Sequence, residues 1–261
     1  MSHAALERAE AAAFADMWTA FGLPLLRVGP AACLSFPPDL ASPMLNRVIA
    51  LGLEGSVSDA TLDDIDAFLR SAGTTRYSIS VAADAEPELA AKLRRRGLVE
   101  GYAWMRFRRG LDPASRAETE LRVEPTDDGD TFGRIVAAGF ELPPPAGHGF
   151  AALVGRPGWH MFLAVDGAEP AAAAALFVHE GVGWFGAAAT LAEHRRKGAQ
   201  NALLAARVER AREVGLDVLT VETGEHVPDR PSASYRNILR AGFEELYLRP
   251  NFVADATASP R

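Results

Sequence analysis

One stretch of the chain has the pattern of a strand, a basic turn and a helix, and a second strand pattern follows. Residues 182–190 are apolar, residues 195–198 form a basic turn that ends in glycine, and residues 202–214 have helical spacing. Residues 218–223 are again apolar. These segments predict a β-α-β unit, whose two strands lie parallel and adjacent with a right-handed crossover. The unit constrains the fold strongly, because it specifies two neighbouring strands and the helix that covers them.

The basic turn is a candidate anion site. A helix N-terminus presents backbone N–H groups without partners inside the helix, and the helix dipole places partial positive charge there. The three cations of the turn add charge, and Gly198 and Ala199 allow the main chain to approach a ligand closely. Residues 196–201 are therefore predicted to bind a phosphate or pyrophosphate. For the turn alone, a solvated basic helix start is the competing interpretation.

Charge and composition exclude several classes of protein. The formal net charge is −7, whereas general nucleic-acid binders carry a basic excess. The single cysteine, Cys33, excludes an internal disulfide and a cysteine metal cluster. No apolar run reaches the roughly 20 residues of a membrane span. The predicted N-terminal helix 4–21 is too charged for an export signal. No P-loop motif for nucleotide binding occurs. We therefore expect a cytoplasmic enzyme or binding protein with no metal, no nucleic-acid partner and no membrane span.

Further elements follow from periodicity and turn residues. Residues 161–165 and 171–178 alternate as strands and are joined through an Asp-Gly turn, so they and residues 182–190 predict a three-stranded antiparallel meander. Residues 25–36 read as one strand, and the proline- and glycine-rich segment 141–149 reads as a loop.

The two ends of the chain share a pattern. In each half a predicted helix ends on glycine, at Gly97 and Gly242, and a strand follows. The second of these helices starts at Ser232, a suitable N-cap, and residues 243–248 are predicted to form the last strand. Residues 110–117 lack apolar periodicity and are typical of a linker. We therefore expect two related domains.

The second half resembles the GCN5-related N-acetyltransferases (GNAT). In that family a strand leads into Arg-x-x-Gly-x-Gly/Ala, and a helix, a parallel strand and a helix ending in Gly-Phe follow. The corresponding residues here are Arg195 to Gln200 and Gly242-Phe243, within a match over 118–250. Two positions depart from the family pattern: Gln200 replaces a small residue, and Ile238 replaces a tyrosine that donates a proton in many members.

The resemblance implies an α+β fold of two tandem GNAT-like domains, each a mixed, mostly antiparallel sheet flanked by helices. Residues 1–112 would be a degenerate copy, since they have no Arg-x-x-Gly-x-Gly turn, and residues 118–261 would be the acetyltransferase domain. The implied activity moves an acetyl group from acetyl-CoA to a primary amine of a small molecule or peptide, by direct attack.

The residues implied to bind acetyl-CoA lie at the strand end, in the turn and at two helix starts: Ala189, Thr190, Leu191, Arg196, Lys197, Gly198, Ala199, Gln200, Asn201 and Ser234. The pantetheine arm would pair along residues 187–191, and a backbone N–H near Ala188 or Ala189 would polarise the thioester carbonyl. The candidate catalytic residues are Glu222 as the base and Tyr235 as the acid.

Additional polar residues are candidates for the acceptor side. Glu225 and His226 follow Glu222 in sequence, and Glu141 and His148 lie in the predicted loop 141–149. For each of them, a charged loop or strand end is the competing interpretation. A non-catalytic CoA-binding or regulatory module is the alternative function, and a homodimer is one assembly that the sequence leaves open.

Overall fold

The computed structural model describes residues 2–36, 45–114, 118–227 and 232–255. The chain divides into two compact units, Met1–Trp104 with Tyr247–Arg261, and Met105–Leu246. This division differs from the boundaries 1–112 and 118–261 in two respects. Residues 105–112 belong to the second unit, and the chain from Tyr247 onward belongs to the first. Part of the predicted linker, residues 115–117, lies outside the described residues.

The first unit combines helices with a mixed sheet. Its helices are α1 (His3–Phe21), α2 (Asp59–Ser71) and α3 (Leu89–Arg95), and its strands are β1 (Leu25–Val28), β2 (Ala31–Leu34), β3 (Arg47–Ile49), β4 (Arg76–Ser80), the first part of β5 (Val99–Arg109) and most of β11 (Glu244–Asp255). Strands β3 and β4 are parallel, whereas β1–β2, β2–β3 and β4–β11 are antiparallel. Leu62, Ile65 and Leu69 of α2 have helical spacing and are buried in the core of this unit.

The prediction of one strand over residues 25–36 is wrong. Val28 pairs with Ala31, so β1 and β2 form a hairpin with Gly29 and Pro30 as its two-residue turn. Glycine and proline favour a turn here, and they outweigh the apolar character of the flanking residues.

A buried charge cluster explains why the C-terminal strand belongs to the first unit. Glu7 and Glu10 of α1 are fully buried, and the Arg249 guanidinium of β11 donates hydrogen bonds to both carboxylates. Arg47 of β3 forms an ion pair with Glu10 at 3.2 Å, and the Tyr247 hydroxyl donates to Glu7 at 2.6 Å. Because β11 runs to Asp255, the predicted last strand over residues 243–248 is too short.

The second unit contains the β-α-β segment. It holds the end of β5, then β6 (Arg122–Pro125), α4 (Gly129–Gly139), α5 (Ala146–Ala151), β7 (Trp159–Asp166), β8 (Glu169–His179), β9 (Val182–Thr190), α6 (Ala199–Glu213), β10 (Val218–Gly224) and α7 (Ala233–Arg240). Its strand order is β5-β10-β9-β8-β7-β6. Strands β6 to β9 pair antiparallel in sequence, and β9 and β10 pair parallel. The predicted meander and β-α-β unit are therefore confirmed.

Helix α6 covers this sheet with one face. Leu204, Val208 and Ala211 of α6 are buried in a core that also contains Phe185 and Leu219 of the two parallel strands. The final helix α7 begins as predicted, because the Ser232 hydroxyl accepts a hydrogen bond from the Tyr235 N–H. Within the described residues, no helix has both the length and the apolar composition that a membrane span requires.

The segment 141–149 is not loop throughout, because α5 begins at Ala146. Pro145 precedes the first helical residue, where the restricted backbone of proline is compatible with a helix start. Helices α4 and α5 touch through glycines: a Cβ on Gly133 would collide with the Gly147 carbonyl oxygen. Close packing against α4 makes this glycine-rich segment helical.

Candidate functional site

Strand β9 contains a β-bulge near its end. Ala173 of β8 pairs with Ala189 and Ala175 pairs with Gly186, so β9 takes three steps where β8 takes two. Ala187 has a positive φ of 44° within this stretch. A bulge leaves the extra residue outside the ladder and turns the local main chain. The backbone of β9 is therefore redirected at Ala187, immediately before Ala188 and Ala189, near which the resemblance implied a carbonyl-polarising N–H.

The two parallel strands separate at the same position. Their pairing runs from Val182–Val218 to Phe185–Val221 and stops there, although β10 continues to Gly224. Among the described residues, no further pairing joins β9 to β10 beyond this point. Ligands of open α/β sheets commonly bind at such carboxyl ends. The opening can admit an extended ligand alongside the last residues of β9.

A buried arginine, not identified from the sequence, borders the bulge. Arg207 of α6 donates a hydrogen bond from Nη1 to the Ala175 carbonyl at 3.1 Å, and its guanidinium lies 4.4 Å from the centre of the Phe185 ring. Burial lowers the pKa of Arg207 from 12.5 to about 9. No carboxylate of the described residues forms an ion pair with it. A helical arginine among alanines resembles a surface residue, so the sequence carried no signal for this burial.

The turn after β9 has the backbone of an anion cradle. It passes through a short 3₁₀ turn, Ala192–His194, before Arg196 and Gly198 adopt positive φ values of 66° and 83°. Gly198 is the N-cap of α6, and no side chain caps this helix start. The N–H groups of Ala199 and the next residues thus have neither intrahelical partners nor a side-chain cap. A 15-residue helix adds its dipole at this end.

The cations of the turn have different environments. Arg195 and Arg196 are exposed and form no ion pair with a described residue. The Lys197 ammonium instead lies 2.6 Å from Oδ2 of Asp166, and Nδ1 of the buried His194 lies 2.9 Å from the same oxygen. The Lys197 hydrogen bond, with a smaller effect from His194, lowers the pKa of Asp166. Lys197 and His194 therefore tie the turn to the β7–β8 hairpin.

The starts of α6 and α7 are joined by side chains. Gln200 donates from Nε2 to the Ser234 hydroxyl at 2.8 Å and accepts from Nδ2 of Asn237 at 2.8 Å. This bridge gives the Gln200 side chain a structural role at the start of α6. The neighbouring Asn201 is half-buried, and its side-chain oxygen has no hydrogen-bond partner among the described residues. The structure thus brings Gln200, Asn201 and Ser234 together beside the turn.

Glu222 lies on β10 one residue past the last pairing with β9. Its Oε2 is 3.4 Å from Nη1 of Arg106, a β5 residue that is 1 % exposed, and Arg106 also reaches Thr220. Leu219 and Val221 belong to the core beneath α6, so alternation places Glu222 on the opposite sheet face. The ion pair with Arg106 orients the Glu222 carboxylate at the strand opening.

Tyr235 faces the interior. Its ring packs edge-on against Phe107 at 5.0 Å, and its hydroxyl donates to Glu245 at 2.6 Å. Burial, with this hydrogen bond, raises the pKa of Tyr235 to about 12. The Tyr235 hydroxyl is thus engaged by a carboxylate of the same unit. Ile238, at the family's tyrosine position, is also buried in the core.

A cavity of about 360 Å³ lies between α4 and α5. It is lined by Asp130, Arg134, Ala137, Ala138, Leu142, Pro144, Gly147 and His148. The predicted acceptor residue His148 is part of this lining, whereas Glu141 is not. A Cβ on Gly139 would collide with the Ala189 side chain, so the end of α4 packs directly on the bulged strand. The cavity therefore adjoins the end of β9.

Sequence reasoning missed this cavity because it depends on helix α5. The available signal was Gly129 and Gly133, four residues apart on one face of α4, with Gly147 following on α5.

Glu225 and His226 lie beyond β10, and the His226 ring is 5.3 Å from the Tyr235 ring. Among the described residues, no group of three or more His, Cys, Asp or Glu side chains is arranged to hold a metal ion.

No protein-family model and no curated protein matches the chain. Solved structures do. The chain is similar to a GCN5-related N-acetyltransferase from Kribbella flavida, with a TM-score of 0.63 and 17% identity over 95% of this chain and 96% of that one. It is also similar to a GCN5-related N-acetyltransferase from Sphaerobacter thermophilus, with a TM-score of 0.62 and 13% identity over 97% and 93% of the two chains.

A third similar structure is a tandem GNAT protein from the clavulanic acid biosynthesis pathway, with a TM-score of 0.54 and 18% identity over 77% of this chain and 70% of that one. These likenesses show the fold. The chain has the GNAT fold, a mixed α/β architecture with a mostly antiparallel sheet, and the predicted fold class is confirmed.

Proposed function

We propose that the chain is an N-acetyltransferase that uses acetyl-CoA as the acetyl donor and a primary amine as the acceptor. The single observation that carries the proposal is the junction at the end of β9, where the bulge at Ala187, the loss of pairing with β10 and the uncapped start of α6 follow within a dozen residues. A ligand with a pyrophosphate and an extended thioester arm fits this junction. A simple anion would occupy only the last part of this junction, at the start of α6.

The pyrophosphate is assigned to the main chain of residues 196–201. The positive φ values at Arg196 and Gly198 turn successive N–H groups toward one side, as in other anion-binding turns. The side chains of Arg195 and Arg196 are exposed and add positive charge. Lys197 is assigned a contribution through its backbone N–H, because its ammonium is held by Asp166.

The thioester arm is assigned to the edge of β9 exposed by the strand opening. Residues 187–191 would pair with the arm, and the bulge supplies a redirected backbone N–H near Ala188 or Ala189 for the thioester carbonyl oxygen. Acetyl-CoA would supply an activated acetyl group. The C–S bond would break as the amine nitrogen bonds to the acetyl carbon, and CoA would leave as a thiolate that takes a proton from solvent, which balances the proton lost by the amine.

The acceptor amine is assigned to the cavity between α4 and α5. Glu222 lies on the sheet face opposite α6, and Gly139 of α4 contacts Ala189 at the bulge. We assign Glu222 the role of accepting the proton that the amine loses, directly or through water, with Arg106 holding its carboxylate in place. Tyr235 is assigned a structural role through its bond to Glu245.

The binding site is tested by two alanine substitutions at opposite ends of α6. Gly198 and Gly215 have φ values of 83° and 70°, so Gly198→Ala and Gly215→Ala each carry left-handed strain of roughly 1–2 kcal/mol. Only Gly198 is crowded, since a Cβ there would lie 3.0 Å from the Thr119 Cβ, whereas Gly215 faces open space. Gly198→Ala should weaken acetyl-CoA binding in calorimetry roughly tenfold or more. Gly215→Ala should bind like the unmodified chain.

Equal acetyl-CoA affinity in the two variants would refute the assignment of the turn. Catalysis is measured separately, as thiol release from acetyl-CoA with a panel of primary amines. Tight acetyl-CoA binding without thiol release for any amine would identify the chain as a CoA-binding module.

A further inference from the structure

The α4–α5 cavity is lined by three exposed ionisable side chains, of which Arg134 interacts electrostatically with Asp128 at the start of α4. The side chains of Asp130, Arg134 and His148 line it, and none of them makes a hydrogen bond or ion pair with a described residue. Opposite charges four residues apart on a helix, as at 130 and 134, are well placed to pair with each other. Their separation within a cavity leaves both available to a ligand.

The cavity orders these groups along one direction. Ala138 lies at the end of α4 that contacts Ala189, Arg134 lies one helical turn away, and Asp130 one turn further. At about 1.5 Å per residue, Arg134 lies roughly 6 Å along the helix from Ala138. The walls between are apolar, formed by residues such as Leu142 and Pro144. A volume of about 360 Å³ fits a small molecule.

We propose that the acceptor is a small amino acid whose reacting amine is separated from its carboxylate by a chain of several carbons. The inference rests on the proposed function. The amine would lie at the Ala138 end, beside the bulge, and the carboxylate would bind the Arg134 guanidinium, whose planar donors match a carboxylate. The apolar wall accommodates the methylene chain. A second ammonium group, next to the carboxylate, would lie near Asp130.

This arrangement also selects against other amines. A simple alkylamine offers the Arg134 guanidinium no carboxylate, and a diamine without a carboxylate brings a second positive charge toward it. The carboxylate is therefore the group that distinguishes the acceptor from amines of equal length and basicity.

The test uses a matched pair of acceptors, 5-aminopentanoate and pentylamine, with the full-length chain. Binding is followed by ligand-observed NMR, and turnover by thiol release from acetyl-CoA. We expect 5-aminopentanoate to bind and to react with a kcat/KM about tenfold or more above that of pentylamine. Arg134→Gln should remove that preference, while Arg122→Gln, an exposed arginine of β6, should retain it.

The outcomes separate the two proposals. Equal binding and equal kcat/KM for the two amines would overturn this inference and leave acetyl transfer standing. Binding of 5-aminopentanoate that is lost in Arg134→Gln, together with no thiol release for any amine, would support the cavity assignment and overturn the enzymatic function. A preference that survives Arg134→Gln would also overturn the inference.

Discussion

Removing the Arg249 guanidinium should destabilise the first unit more than any exposed substitution. Its Nη1 atom lies 2.5 Å from Oε2 of Glu7 and 2.9 Å from Oε2 of Glu10, and its Nη2 atom lies 2.8 Å from the second Glu10 oxygen. Arg249, Glu7 and Glu10 are all fully buried. With Arg47, the cluster holds two carboxylates and two guanidiniums.

Arg249→Met keeps most of the side-chain volume but leaves one surplus buried negative charge. Breaking a buried ion pair on one side costs about 3–5 kcal/mol, because the remaining charge stays desolvated. That is a large fraction of the roughly 5–15 kcal/mol that stabilises a typical protein. At about 2 kcal/mol per molar of urea, the unfolding midpoint should fall by about 1.5–2.5 M. Urea unfolding followed by the intrinsic fluorescence of a variant that keeps Trp18, which is 2 % exposed, and carries phenylalanine at the other three tryptophan positions measures this change.

Two further variants make the prediction specific. Arg240→Met changes an exposed arginine of α7 and should move the midpoint little, since surface substitutions stay within about 0.5 kcal/mol. Arg249→Met combined with Glu7→Gln removes the surplus charge, and it should recover part of the lost stability. A difference of 0.3 M in the urea midpoint corresponds to roughly half a kcal/mol in the free energy of unfolding. An Arg249→Met midpoint within about 0.3 M of the unmodified chain would refute the assignment of β11 to this buried cluster.

Two other predictions concern the second unit. Tyr235→Phe should lower the free energy of unfolding by about 1–2 kcal/mol, because the hydrogen bond to Glu245 is lost, and urea unfolding measures this. The kcat should change less than about twofold in steady-state kinetics, because a buried hydroxyl with a pKa of about 12 is a poor acid. A large loss of kcat would instead indicate a catalytic hydroxyl. The Lys197 hydrogen bond lowers the pKa of Asp166. The pair therefore stabilises the fold at pH values above the ordinary aspartate pKa of about 3.9, and this stabilisation is lost as the pH falls below that value. Asp166→Asn should therefore show a smaller decrease in melting temperature between about pH 5 and 3 than the unmodified chain; identical decreases would count against the assignment.

Much of the second unit could be predicted from local sequence. The apolar pattern of residues 182–190, the glycine at 198 and the helical spacing after it specify a strand, a turn and a helix, because each depends on neighbouring residues. Ser232 was a correct N-cap for the same reason, since a cap bonds a backbone N–H only three residues away.

The first unit was predicted less well. The hairpin at Gly29–Pro30 was missed because its flanking residues, apart from Arg27, are all apolar. The full length of the C-terminal strand was missed because it pairs with β4, far away in the sequence, and because the carboxylates bound by its Arg249 lie at the start of the chain. A charged residue such as Arg249 in a strand is typical of a surface position. Only the buried Glu7 and Glu10 make it an interior one.

The sequence by itself determined the β-α-β unit and the basic turn that ends at Gly198, because these follow from short-range periodicity and turn residues. Tertiary structure alone decided the bulge at Ala187, the tie between Lys197 and Asp166 and the placement of Asp130 and Arg134 in one cavity. Each of these depends on a neighbouring element. The bulge depends on the register of β9 against β8, the ion pair joins residues 31 positions apart, and the cavity depends on how α5 packs against the glycines of α4.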